Sequence, residues 1–164
     1  MPLHLKGSCR CGAVSFSCDT HTPSPYQLCY CSICRKTAGG GGYAINLMAV
    51  NATLSITGKN AIAVYRAGIT DEDGRCEIST GERNFCVKCA SALWLYDPTW
   101  PDLIHPFASV IDTPLPVAKV RCHIMLRFKP SWVPVEVGPK DTQKDLYPDQ
   151  SIEDWHRSRG LWVD

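Results

Sequence analysis

Long hydrophobic runs are missing from this chain: no stretch approaches about 18 uninterrupted apolar residues, so nothing reads as a membrane span. An excess of either charge is missing too. The 17 Lys and Arg are balanced by 16 Asp and Glu, and no run of five or more basic residues occurs. That excludes a general nucleic-acid binder, which needs a basic face. The opening residues Met1-Pro2-Leu3-His4-Leu5-Lys6 lack the apolar core of a secretory leader. The expectation is a soluble, cytoplasmic protein with reduced thiols and neither a membrane nor a nucleic-acid partner. Long helices are scarce as well, because twelve prolines are spread over the chain.

What the chain does have is cysteine, ten in all. A disulfide framework is the simplest reading of an even number. Two features count against it: the chain is large for a disulfide scaffold, and cysteines one residue apart are poorly placed to bond to each other. At 164 residues the chain reads as one domain, 1–164. A chain of that length buries roughly 70% of its unfolded surface, so it does not need metal merely to have a core.

The pattern between the cysteines is that of a mainly β fold. Ala13 to Cys18 alternates as a half-buried strand does, and Tyr43 to Met48 is a second candidate. Thr53–Thr57 and Ile62–Arg66 flank Gly58-Lys59-Asn60 and read as a hairpin. Ala92–Tyr96 follows a C-x-x-C, and Val120–Phe128 is the longest strand candidate. A C-terminal helix is expected over about 151–159, where Ser151 and Asp154 resemble a capping box and Gly160 closes the element. Gly138 to Gln150 reads as a surface loop.

Seven of the thiols fall into three tight clusters: Cys9 and Cys11 as C-x-C, Cys29, Cys31 and Cys34 as C-x-C-x-x-C, and Cys86 and Cys89 as C-x-x-C. Seven divides into four plus three. Two pairs close a structural four-thiolate zinc site, which assigns Cys9, Cys11, Cys86 and Cys89 to one metal. Such a clip closes a long loop and removes much unfolded-state entropy. Cys29, Cys31 and Cys34 then hold a second zinc with one position open, where substrate can bind. Arg35 and Lys36 follow directly and offset the negative charge. A closed site is the alternative, with Cys18, Cys76, Cys122 or one of the five histidines as fourth ligand. Three thiolates donate strongly and weaken the metal as a water activator, so an added thiol is the more natural fourth ligand.

The runs Gly7-Ser8-Cys9-Arg10-Cys11-Gly12-Ala13-Val14, Cys29-Tyr30-Cys31-Ser32-Ile33-Cys34-Arg35-Lys36 and Phe85-Cys86-Val87-Lys88-Cys89 resemble the glutathione-dependent formaldehyde-activating (GFA) family, which includes centromere protein V. The motif core covers about residues 5–130. The resemblance implies a β-tent-like fold of small antiparallel sheets clipped by zinc, with few short helices. It implies two zinc ions per chain, one structural and one catalytic, in the same four-plus-three partition. The implied activity is that of a carbon–sulfur lyase, joining glutathione to formaldehyde as S-(hydroxymethyl)glutathione. The chain departs from the family pattern at Tyr30, where His is common, and at Ala90, where Gly commonly follows the C-x-x-C. Ala90 counts against a left-handed backbone there, and Tyr30 is expected to change what surrounds the open zinc.

Other residues have two readings each. Gly39 to Gly42 offers either a flexible turn or backbone N–H groups for a ligand carboxylate. Arg35, Lys36, Arg66 and Arg83 are candidates to pair with glutathione carboxylates. Trp94, Tyr96 and Trp100 read as core aromatics, with a pocket wall the alternative. His105 and His123 read as satisfied core residues. Two rival functions use the same thiolates: a non-catalytic zinc-binding interaction module, and a thiolate–zinc redox sensor.

Overall fold

The computed structural model describes residues 1–164. Alternating burial builds its first hairpin. In β1 (Leu3–Ser8) Leu5 and Gly7 face inward, and in β2 (Ser15–Thr20) Phe16, Cys18 and Thr20 do. Leu5 lies opposite Cys18 and Gly7 opposite Phe16. Glycine is needed at 7, because a Cβ would stand 2.6 Å from the Phe16 ring.

The chain continues through β3 (Gln27–Cys29), α1 (Ser32–Ala38), β4 (Ala44–Ile45), β5 (Ala49–Val50), β6 (Ser55–Thr57) and β7 (Ile62–Tyr65). An exposed two-stranded ribbon follows, β8 (Gly68–Thr70) and β9 (Cys76–Ile78). Then come β10 (Glu82–Cys86), β11 (Ala92–Tyr96), β12 (Leu103–Pro106), β13 (Cys122–Ile124), β14 (Thr142–Gln143) and α2 (Ile152–Ser158). The strands form small sheets ordered β1-β2-β6, β5-β12-β11-β10-β7, β14-β13-β3-β4 and β8-β9. The architecture is mainly β, with two short helices. One sheet is mixed: β13 runs parallel to both β3 and β14. No helix is long and apolar enough to cross a membrane.

Four expected elements are corrected, the first being the surface loop of 138–150, within which Thr142–Gln143 pairs with β13 as a strand. The hairpin of 53–57 with 62–66 does not form: β6 pairs with β2 and β7 with β10. Gly58, in the left-handed conformation, enters a 3-10 turn over Lys59–Ala61 that sends the chain from one sheet to another. A Cβ at Gly58 would lie 1.9 Å from the Ala13 carbonyl, so the crossing depends on that glycine. The long strand expected over Val120–Phe128 is only three residues, because Met125 turns left-handed (φ +60°) and starts a 3-10 turn. The Tyr43–Met48 strand shortens to Ala44–Ile45, after which Leu47 N–H donates to the Pro106 carbonyl.

Burial divides into two main cores, and each contains one cysteine cluster. The first gathers Leu5, Val14, Phe16, Leu93, Trp94 and Ile104 around Cys9 and Cys86. The second gathers Tyr26, Ala44, Phe107, Ile124 and Trp155 around Cys29 and Cys34. In the second, α2 lays Trp155 flat on Tyr26, with ring centroids 3.5 Å apart. Ser151 starts α2 by accepting the Asp154 N–H at 3.0 Å.

Candidate metal centres and the clefts beside them

The turn after β1 presents Cys9 and Cys11. Val14 N–H donates to Cys9 Sγ at 3.2 Å, and Gly12 takes φ +76° to close the turn. A second turn, after β10, presents Cys86 and Cys89. It closes through Ala90 N–H on the Cys86 carbonyl at 2.8 Å, with Ala90 itself at φ +60°. The left-handed backbone is therefore kept without the glycine that would make it strain-free.

The four sulfurs Cys9, Cys11, Cys86 and Cys89 lie within 4.8 Å of one another. Cys9 and Cys11 are 3.6 Å apart, and Cys11 and Cys86 3.8 Å. A tetrahedral zinc with Zn–S bonds of about 2.3 Å asks for sulfurs about 3.8 Å apart, so the set fits that ion. Cys89 is drawn down to about 5 by the Ser91 hydroxyl and then the Ser91 N–H. Ala13 N–H is the strongest single influence on Cys11 and lowers it, but Cys9, burial and the other two thiols together push it up to about 11.

The second cluster forms where β3 hands over to α1. Cys29 ends the strand, and Cys31 caps the helix, its sulfur accepting the Cys34 N–H at 3.2 Å. The helix then brings Cys34 back to the other two, and the three sulfurs lie within 4.8 Å. No histidine nitrogen, carboxylate or further thiol joins them at that range. Cys18, Cys76 and Cys122 stay apart. His105 Nδ1 bonds the Leu47 carbonyl at 3.0 Å, and His156 lies between Ser24 N–H and the Ile152 carbonyl.

The electrostatics of this trio suit a bound cation. Cys34 is drawn down to about 2, first by hydrogen bonds from Cys29 and Cys31 and then by the Arg83 guanidinium. Cys29 is pushed up, first by its hydrogen bond to Cys31, then by that to Cys34 and by burial. One thiolate thus holds its neighbours protonated, and three thiolates together require a bound positive ion. Arg83 Nη2 donates to Cys34 Sγ at 3.6 Å, and Asn46 Nδ2 approaches the same sulfur at 3.9 Å. Sequence reasoning named Arg83 only as a carboxylate partner and missed Asn46, which no motif marks. Arg66 pairs with Glu82 and stays away from the thiols.

Tyr30 turns its hydroxyl away from the cluster to His123 Nδ1, 2.9 Å distant, with Asp141 Oδ2 3.8 Å from the other ring nitrogen. Asp141 in turn accepts the Arg121 and Gly138 N–H groups, so this buried set ties the 138–141 turn to β3.

Clefts of contrasting chemistry flank α1. One, of about 340 Å³, is lined by Arg35, Lys36, Gly39, Gly40, Ser91 and Ser109 among others and by no acidic side chain. The Arg35 Nε within it is buried without a partner. A neighbouring cleft shares Thr37, Ala92 and Phe107 with it and contains Arg83, which reaches Cys34. The other, of about 310 Å³, opens over Cys29 and Cys31. Trp94 is core, whereas Trp100 is exposed and lines none of these clefts.

Two thiol clusters able to hold metal, each set in its own core of a mainly β fold, define a class of proteins organised around cysteine-ligated ions. The family model described as glutathione-dependent formaldehyde-activating enzyme matches residues 4–128, and the chain belongs to that family. It is 53% identical over 157 residues to a Halomonas elongata protein provisionally named a glutathione-dependent formaldehyde-activating enzyme, covering 96% of this chain and 97% of that one. Among solved structures, a structural-genomics crystal structure of a Rhodobacter sphaeroides protein resembles it with a TM-score of 0.51 at 23% identity, over 68% of this chain and 91% of that chain. At that identity the likeness concerns the fold.

Proposed function

We propose that the protein is a zinc-dependent enzyme of the carbon–sulfur lyase type, which joins glutathione or a similar small thiol to an aldehyde, in the manner of an S-(hydroxymethyl)glutathione synthase. The observation that carries this reading is the three-sulfur cluster of Cys29, Cys31 and Cys34, with no fourth protein donor in range. Family membership and the name of the Halomonas relative support the choice of glutathione and formaldehyde.

Cys29, Cys31 and Cys34 hold the catalytic ion, and Cys9, Cys11, Cys86 and Cys89 the structural one. A zinc ion in the three-thiolate site supplies Lewis acidity that favours the thiolate form of an added thiol. Arg35 and Lys36 take the carboxylates of the tripeptide in the cationic cleft, helped by the backbone at Gly39 and Gly40. Arg83 and Asn46 hold Cys34 in its thiolate form and fix its direction. The thiol loses its proton to solvent, and its sulfur forms a bond to the carbonyl carbon. The carbonyl π pair moves to oxygen, which takes a proton from solvent to give the hemithioacetal. A cytoplasm rich in reduced thiols is the setting this chemistry needs.

Exchange spectroscopy on glutathione and formaldehyde, with and without the zinc-loaded protein, tests the reading. The expected result is hemithioacetal formation and breakdown above the uncatalysed rate, with saturable glutathione binding. Neither binding nor acceleration, for glutathione or any other small thiol, would sink it and leave a non-catalytic zinc module.

A further inference from the structure

The cleft over Cys29 and Cys31 has the wrong chemistry for glutathione and the wrong size for formaldehyde. No Asp, Glu, Lys, Arg or His lines it. Its lining includes the two thiols, the hydroxyl residues Ser32 and Thr70, and the apolar side chains of Ile33, Ile69, Ile124, Met125 and Phe128. Tyr147 lines it as well. Formaldehyde is comparable to a water molecule, whose share of liquid volume is about 30 Å³. It would leave most of the roughly 310 Å³ vacant and make no use of the apolar walls. Those walls include side chains the fold leaves in water: Ile69 is 52% exposed, Phe128 44% and Tyr147 75%. Apolar side chains gathered around a reactive centre and left uncovered mark a ligand surface more than a packing one.

A second, independent observation lies in the backbone. Met125 adopts φ +60°, a conformation a residue with a long side chain takes at a cost. Two contacts hold it there: its N–H donates to the Leu146 carbonyl at 2.8 Å, and its carbonyl accepts the Phe128 N–H at 3.1 Å. The first anchors the segment bearing Tyr147, and the second closes the turn bearing Phe128. The strained residue is thus bonded to both segments that bring Phe128 and Tyr147 to the cleft, and strained residues of this kind cluster at binding sites. Methionine, unbranched and polarisable, also adapts its shape to an apolar guest.

We infer that the electrophile is an aldehyde carrying an apolar chain, its carbonyl set at the three-thiol centre and its tail in the cleft walled by Ile69, Ile124, Met125 and Phe128. The inference rests on the thiol–aldehyde reading above and names its second substrate class. The product is the hemithioacetal already described, now with a hydrocarbon tail.

Zinc-loaded protein is assayed with glutathione and, in turn, formaldehyde, propanal and hexanal, each rate divided by its uncatalysed counterpart. The enhancement is expected to climb with chain length, by up to roughly fourfold per buried methylene. Phe128→Ser, and separately Ile69→Ser, should lower the hexanal-to-formaldehyde ratio at least fivefold with the circular dichroism preserved. A readout independent of catalysis is calorimetric binding of S-hexylglutathione against S-methylglutathione, expected to favour the hexyl compound at least tenfold with a more negative heat-capacity change. Acceleration of formaldehyde with no gain for hexanal, or equal affinity for the two thioethers, overturns this inference and leaves the proposed function standing. Hexanethiol with formaldehyde outperforming glutathione with hexanal would put the tail on the thiol and overturn it too. No acceleration with any aldehyde removes both.

Discussion

The guanidinium of Arg83 stands 3.6 Å from the sulfur of Cys34. Arg83 lies on β10 of the five-stranded sheet and Cys34 on α1, so the contact joins the strand that ends at Cys86 to the helix of the other cluster. Three thiolates around a divalent ion would carry one net negative charge, which Arg83 is placed to offset. Replacing Arg83 by Leu should raise the Cys34 thiol and weaken metal at the three-thiol site by roughly ten- to hundredfold, the usual effect of losing such a supporting partner. Chelator competition should register that loss for one of two bound ions only. Unchanged affinity of both would show that the contact is incidental.

The two clusters should differ in what their loss does. Cys34→Ser is expected to take metal content from two ions per chain to one while the circular dichroism stays β-rich. Cys86→Ser should unfold the protein, since Cys86 is fully buried in the first core and belongs to the set that ties Cys9 and Cys11 to the β10 turn. Elemental analysis of reduced protein, paired with circular dichroism, reads both. Collapse of the Cys34 variant would make the second ion structural and take the catalytic site with it.

Ala90 holds φ +60°, where an L side chain pays a steric cost that glycine avoids. Ala90→Gly should stabilise the protein by about 1 kcal/mol, seen as a higher urea midpoint at unchanged slope. The gain is net of the extra chain entropy glycine brings to the unfolded state. A lower midpoint would mean that the turn is set by its metal and not by its backbone.

His156 carries a pH prediction. Its Nε2 accepts the Ser24 N–H at 3.1 Å, so the ring proton sits on Nδ1 and points to the Ile152 carbonyl at 2.7 Å. Burial holds the ring below its ordinary value of 6.5, against the pull of Ile152. As pH falls the unfolded chain binds this proton first, so the stabilisation is whole above about pH 6.5 and is lost progressively below it. Urea midpoints measured in excess zinc should fall between pH 7 and pH 5. His156→Leu should start lower, because Ser24 loses its acceptor, but with a flatter slope. Equal slopes would assign the acid sensitivity elsewhere.

The grouping of the thiols was legible in the sequence because cysteine spacing is a local signal. Three short motifs named all seven sulfurs that the fold gathers, and their division into four and three is the one observed. The strand Ala92–Tyr96 was legible too, bounded by the C-x-x-C turn and by Asp97-Pro98. α1 was not, since its cap is Cys31, and a sulfur acceptor is absent from the usual capping residues. The true partners of β6 and β7, β2 and β10, were hidden because two adjacent alternating runs look like a hairpin whether or not they meet. Asn46 and the apolar wall were hidden for a further reason: Ile69, Ile124 and Phe128 are brought to Cys29 only by tertiary folding.

The separation between Cys11 and Cys86, 75 positions, has a bearing on biosynthesis. Cys29, Cys31 and Cys34 lie within six residues, so all three donors are available early in synthesis. The four-thiol clip has to wait for Cys89. Order of loading and strength of holding therefore run opposite ways, since the early site has three donors and the late one four. When zinc is short, the four-donor site should keep its ion and preserve the fold, while the three-donor site empties. Activity should then follow the cell's zinc supply more steeply than protein abundance does. Loss of both ions at the same chelator concentration would contradict that ranking.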